Sequence, residues 1–114
     1  MSIVGEKSKR LAIRIIRLST WLQHEKKEYV LSKQLMRSGT SIGANLAEAD
    51  YAFSRREFLA KASIALKETA ETIYWLELLR ETDYLTPEHF DSIHADAEEL
   101  RKMLSSITKT IREE

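Results

Sequence analysis

The chain has 114 residues, 43% of them hydrophobic and 32% charged, with 18 Lys plus Arg against 18 Asp plus Glu. That is one domain's worth of protein, too rich in core formers and too balanced in charge for a disordered chain, and its zero net charge removes the simplest case for a histone-like binder though not for a local basic patch. The absence of cysteine excludes a disulfide framework, a cysteine nucleophile and a thiolate zinc site, and fits a reducing compartment.

No apolar run approaches the ~20 residues that span a bilayer. The start, Met1 to Lys7, lacks the apolar stretch of a signal peptide. The expectation is one soluble, cytoplasmic domain over residues 1–114 with no membrane association. Three Gly and one Pro leave few breakers, so turns are rare and elements long. Strand signals are weak, and the reading is all-α.

Helix 1 is predicted from about Glu6 to Glu25, with Leu11, Ile15, Leu18 and Leu22 on one stripe. The polar segment His24–Glu28 reads as a connection. Helix 2 follows from about Tyr29 to Asp50, with Leu31, Leu35, Ile42 and Leu46 inward. Helix 3 starts at a capping box, Ser54-Arg55-Arg56-Glu57. There Ser54 Oγ accepts from the Glu57 amide, Glu57 reaches back to the Ser54 amide, and Phe53 staples to Phe58. It runs to about Glu81 with Phe58, Ala62, Ala65, Thr69, Ile73, Leu76 and Leu79 inward.

Helix 4 opens with Thr86 as N-cap and Pro87 at N1, with Leu85 and Phe90 as a second staple. Phe90, Ile93, Ala97, Leu100, Leu104, Ile107 and Ile111 form a three-heptad seam. Four such helices with short connections make an antiparallel up-down-up-down four-helix bundle. The competing arrangement is a pair of helical hairpins that pack only on oligomerisation.

Lys7, Arg10, Arg14 and Arg17 share one face of helix 1, and Trp21 continues it. This line of cations, about 15 Å long by helix rise, could track a phosphate backbone, and an aromatic at its end could stack a base. The bland reading is a solvated face beside the core stripe. Residues 1–40 hold nine Lys/Arg and three Asp/Glu, net +6, and residues 41–114 hold nine and fifteen, net −6. The two halves could pair within the bundle, meet between subunits, or leave the basic half for nucleic acid.

On helix 2, Gln34, Ser38, Ser41, Asn45 and Glu48 follow helical spacing, with Gly39 and Gly43 beside them. A mid-helix Gly costs about 1 kcal/mol relative to Ala, so two of them suggest close backbone approach. The expectation is an interface between helices or subunits, against the alternative of an ordinary polar face. A di-iron bundle needs two Glu-x-x-His motifs. Only the approximate Asp91-x-x-His94 is present, and His24, His89 and His94 lack zinc-like spacing. No metal, no cofactor and no catalytic centre is expected, since no phosphate loop, nucleophile elbow or nucleotide fingerprint occurs.

The stretch Gln34-Leu35-Met36-Arg37-Ser38-Gly39-Thr40-Ser41-Ile42-Gly43-Ala44-Asn45-Leu46-Ala47-Glu48-Ala49 resembles a family signature. It is that of the four-helix-bundle family also called the 23S rRNA intervening-sequence, or S23 ribosomal protein, family. The pattern is approximately Q-L-x-R-(S/A)-x-x-S-I-x-x-N-(I/L)-A-E-G. Downstream, Glu57-Phe58-Leu59, Ser63-Ile64-Ala65 and Glu68 look like its E-F-x-x-x-L-x-I-A-x-G-S-x-x-E stretch. Ala49 stands in place of Gly, and Leu66-Lys67 in place of Gly-Ser.

The resemblance implies a bacterial, non-enzymatic bundle that assembles as a homopentameric ring. It also points to nucleic acid, through a similar pentameric protein of diversity-generating retroelements. The combined expectation is RNA or DNA association, RNA first, through Lys7, Arg10, Arg14, Arg17, Trp21 and Arg37. Gln34, Ser38, Gly39, Ser41, Gly43, Asn45 and Glu48 would build the bundle and oligomer. The alternative is an oligomeric scaffold that presents acidic helices 3 and 4 to a protein partner.

Overall fold

The computed structural model describes residues 2–114, so Met1, the first residue of the expected domain, lies outside them. The order is α1 (Ile3–Glu25), α2 (Leu31–Ala49), α3 (Arg55–Glu81) and α4 (Pro87–Glu113). Cα atoms come within 8 Å around the cycle α1–α2–α3–α4–α1 and not across its diagonals. Residue pairs run in opposite directions on neighbouring helices. Ile15 and Ser8 of α1 face Gly39 and Gly43 of α2, and Arg37 and Glu48 of α2 meet Glu68 and Lys61 of α3. The molecule is the expected up-down-up-down bundle, 46 Å long and about 20 Å across.

The core follows the four predicted stripes, except that Leu18 and Leu31 are only partly buried at its edge and Phe58, expected inward, is half-buried outside the core cluster. Leu11, Ile15 and Leu22, then Leu35, Ile42 and Leu46, then Ile73, Leu76 and Leu79, and Ile93, Leu100 and Leu104 form one cluster. Burial of each such side chain contributes about 1.5–3 kcal/mol before chain entropy is charged against it. The α4 seam drifts near its end: Thr108 is buried while Ile107 and Ile111 are half-exposed. A straight helix turns 3.6 residues per turn, so a strict heptad pattern rotates off the core unless the helices supercoil.

Several ends differ from expectation. α1 begins at Ile3 rather than Glu6, because Ser2 Oγ accepts from the Gly5 amide at 3.1 Å and caps it. At α3 the Ser54 cap forms, with Glu57 N donating to Ser54 Oγ at 3.0 Å. The Glu57 carboxylate, however, takes the Phe53 amide at 3.0 Å instead of the Ser54 amide. The Phe53 staple does not form: Phe53 is 97% exposed because the chain enters α3 with its ring directed to solvent. At the second staple position Leu85 is buried and Phe90 packs against the same core cluster.

α2 has no cap of its own at Val30. Glu28, read from sequence as part of a polar connection, is buried and supplies the cap. Its carboxylate accepts from the amides of Val30 at 3.1 Å, Leu31 at 2.9 Å and Ser32 at 2.7 Å. Burial acts to raise the Glu28 pKa, but the bonds from Leu31, Ser32 and Val30 together outweigh it and hold the carboxyl below its ordinary value. The turn before it carries Lys27 at φ 55°, a left-handed position that brings the chain back toward the bundle.

A carboxyl whose folded pKa is depressed stabilises the fold above its unfolded pKa and loses that contribution as pH falls through the folded value. Glu28→Ala is expected to cost about 2 kcal/mol at neutral pH, since it leaves helix-end donors unpaired. The cost should shrink as the pH is lowered below the ordinary carboxylate range, in urea titrations at several pH values. A penalty that stays constant down to the acid transition would mean the charge on Glu28 does not matter.

Gly39 and Gly43 lie where α2 crosses α1. A Cβ on Gly39 would stand 2.7 Å from Ile15 Cγ2, and one on Gly43 would stand 3.2 Å from Ser8 Oγ. Ile15 is fully buried and branched, so it has nowhere to go. The Ser8 hydroxyl, which donates to Gly5 O, can turn aside. Gly39→Ala is therefore expected to destabilise by about 1–3 kcal/mol through overpacking. In Gly43→Ala the helix-propensity gain of about 1 kcal/mol offsets the tighter contact, and stability should stay within about 1 kcal/mol of the parent. Chemical unfolding of both variants tests the ranking.

Candidate nucleic-acid interface

Lys7, Arg14, Arg17 and Trp21 of the α1 stripe lie on the side of the helix that borders α4, and Arg10 is exposed on the same stripe. Two of its cations are paired across that seam. Lys7 forms an ion pair with Glu99. Arg14 donates to Asp96 Oδ2 at 2.6 Å, and to Ser92 O and Oγ at 3.3 and 3.0 Å. Arg10 and Arg17 are exposed and make no ion pair among the described residues. Trp21, at the end of the stripe, lies edge-to-face with His89 of α4, centroids 6.4 Å apart. Lys26 Nζ sits 5.3 Å from the Trp21 ring centroid, within cation–π range.

Arg37 stands apart from this face. It pairs with Glu68 at 3.3 Å and with Glu71 on α3, and its Nε donates to Gln34 Oε1 at 3.4 Å. Trp75 Nε1 donates to the same Glu71 carboxylate at 2.9 Å. Of the three uses open to the charge asymmetry, pairing inside the bundle is thus directly visible: basic α1 and α2 meet acidic α4 and α3.

The polar residues of α2 divide. Ser38 is buried against α3, where it accepts from Thr72 Oγ1 at 2.9 Å. Asn45 donates to Ser41 O and Oγ at 2.9 and 3.1 Å within α2. Gln34 and Glu48 are exposed, and Glu48 meets Lys61 at 3.4 Å. Gly39 and Gly43 face α1. Ser38 and Glu48 thus serve the seam with α3 and the two glycines the seam with α1, while Ser41 and Asn45 pair with each other within α2. Of the metal-like pair, Asp91 is exposed, and His94 stacks on Phe90 with centroids 4.7 Å apart. Sequence reasoning missed His89 and Lys26 as companions of Trp21. His89 comes from the far end of the chain, and Lys26 lies just past the helix.

No described helix is long and apolar enough to cross a membrane. The described residues form an all-helical bundle, and among them no group of three or more His, Cys, Asp or Glu is placed to hold a metal ion; the fold and the α2 signature define a class of small four-helix-bundle protein. The family model for 23S rRNA-intervening sequence protein matches residues 2–106. The chain belongs to that family. A crystal structure of a protein of unknown function from the S23 ribosomal protein family of Bacteroides thetaiotaomicron superposes with a TM-score of 0.92. It is 53% identical, over 94% of this chain and 99% of that one. No curated protein matches the sequence.

The α1–α4 ion pairs are solvent-exposed, and exposed pairs contribute about 0–1 kcal/mol. Lys7→Met and Arg14→Met are each expected to change stability by less than about 1 kcal/mol in thermal unfolding. A loss of several kcal/mol would make these residues part of the structural frame and not of a surface.

Proposed function

We propose that the protein self-associates and binds RNA through the α1 face that carries Arg10 and Arg17. One observation carries this reading: those two arginines are exposed and unpaired among the described residues, while Lys7 and Arg14 on the same face, and Arg37 on α2, are matched by carboxylates. Seven residues separate them, about 10.5 Å along the axis by helix rise, on one side of a straight helix. The binding is non-enzymatic.

Two free arginines are a weak site in one copy. Linking several copies converts later contacts into intramolecular ones and raises avidity without new chemistry. Ile13 and Ile16 on the outward side of α1, and Tyr51 and Phe53 at the α2–α3 corner, are exposed. Apolar surface of this kind is what subunit contacts cover. A pentameric ring, as the resemblance implies, would repeat the arginine pair five times. The exposed Tyr51–Phe53 corner also favours a second reading, a scaffold that engages a protein partner and no nucleic acid.

Binding to a labelled structured RNA, followed by fluorescence anisotropy across a salt series, separates the two. A protein that neutralises phosphates loses affinity linearly in log salt. The parent should show a steep slope, and Arg10→Glu/Arg17→Glu should remove most of the binding while leaving the thermal transition in place. Unchanged affinity in the double variant would remove this face. No binding by the parent at low salt would leave the scaffold reading.

A further inference from the structure

α1 and α4 part around a cleft of about 290 Å³. Leu18, Leu85 and Ile93 make its floor, and Trp21 and His89 make its walls. His89 is set by the α4 cap, since its amide donates to Thr86 Oγ1 at 3.2 Å. The two rings stand nearly perpendicular, at 86°. Arg14 borders the cleft, but its guanidinium is committed to Asp96 and Ser92. Arg17 borders it without an ion pair among the described residues, and the Lys26 ammonium lies over Trp21.

The geometry points to this cleft as a binding site for one unpaired nucleobase of single-stranded RNA, stacked on Trp21 with its edge toward His89 and its phosphate at Arg17 and Lys26. The inference rests on the RNA reading of the α1 face and adds to it a preference for strand over duplex. Three features argue for this ligand. Drug-sized ligands occupy pockets of about 300–1,000 Å³, so this cleft is suited to a single base. An apolar floor beneath an aromatic wall offers stacking, which every base can use and which carries little sequence preference. The two cations at the rim match the single charge of a phosphodiester and its neighbour, and fall short of the charge on a free nucleoside triphosphate.

The ring nitrogens of His89 make no hydrogen bond among the described residues, which leaves them open to a base edge. A base inside a duplex is already stacked and cannot enter. Bases that are splayed out of single strands, loops and bulges are the ones side chains can stack on. The backbone reading alone makes no distinction between the two RNA forms. The cleft does.

The test compares a labelled, non-self-complementary 12-nucleotide RNA with its blunt duplex by anisotropy, using the full-length protein. The parent is expected to prefer the single strand. Removing one stacking aromatic typically costs roughly 5- to 150-fold in affinity. Trp21→Ala should therefore lower the ratio of single-strand to duplex affinity about ten-fold, and Trp21→Phe should restore most of it. His89→Ala, which removes the ring packed edge-to-face with Trp21, should lower the same ratio. Arg10→Glu/Arg17→Glu should weaken both RNAs. If the parent binds both RNAs and neither Trp21→Ala nor His89→Ala moves the ratio, the cleft is not a base site, while the basic face stands. If the parent binds neither RNA, both readings fall. Circular-dichroism melting confirms that each variant is folded.

Discussion

The contact of Gly39 with Ile15 is the constraint on which the rest of the bundle depends. Helix axes ordinarily pack 8–10 Å apart because side chains stand between them. At Gly39 there is no Cβ to stand there, and the fully buried Ile15 side chain fills the place it would take. Gly43 continues the approach one turn on, against Ser8. With α2 seated on α1 in that register, Ser38 is turned the other way, onto Thr72 of α3. Small residues on one flank and a buried hydroxyl pair on the other thus set α2 between its two neighbours.

The α1–α4 seam is built differently. Lys7 and Arg14 reach across it to Glu99 and Asp96, and the cleft beside Trp21 opens on the same seam. Exposed ion pairs contribute little stability, so this seam is bridged by polar arms above a narrower apolar contact. A seam held in this way can carry a binding feature without taking away from the main core, whose large side chains lie deeper, between Leu11, Leu35, Leu76 and Leu100.

Zero net charge and two oppositely charged halves of the sequence find a common explanation in the pairing of helices. α1 and α2 supply Lys7, Arg14 and Arg37, while α3 and α4 supply Glu68, Glu71, Asp96 and Glu99. Of the four cations on the α1 stripe, the two left over, Arg10 and Arg17, gain meaning only by this subtraction. Among the described residues they lack the carboxylate partner that their neighbours on the same face possess.

The helices, their inward stripes, the Ser54 and Thr86 caps and the family membership were legible in the sequence. Each depends on residues within a turn or two of one another, where helical periodicity and hydrogen-bond reach are local rules. The glycine spacing on α2 likewise announced a close approach. What it approached was not legible, because Ile15 lies far along the chain. The same holds for Glu28, whose role as the α2 cap needed the turn that folds its carboxylate onto Val30, Leu31 and Ser32. Phe53 had the spacing of a staple but not the chain direction, and it points to solvent. Which arginines stay free, and that His89 stands beside Trp21, only the tertiary structure decided. Both depend on which face of α4 meets α1, and that register comes from packing between elements rather than from the order of residues within either one.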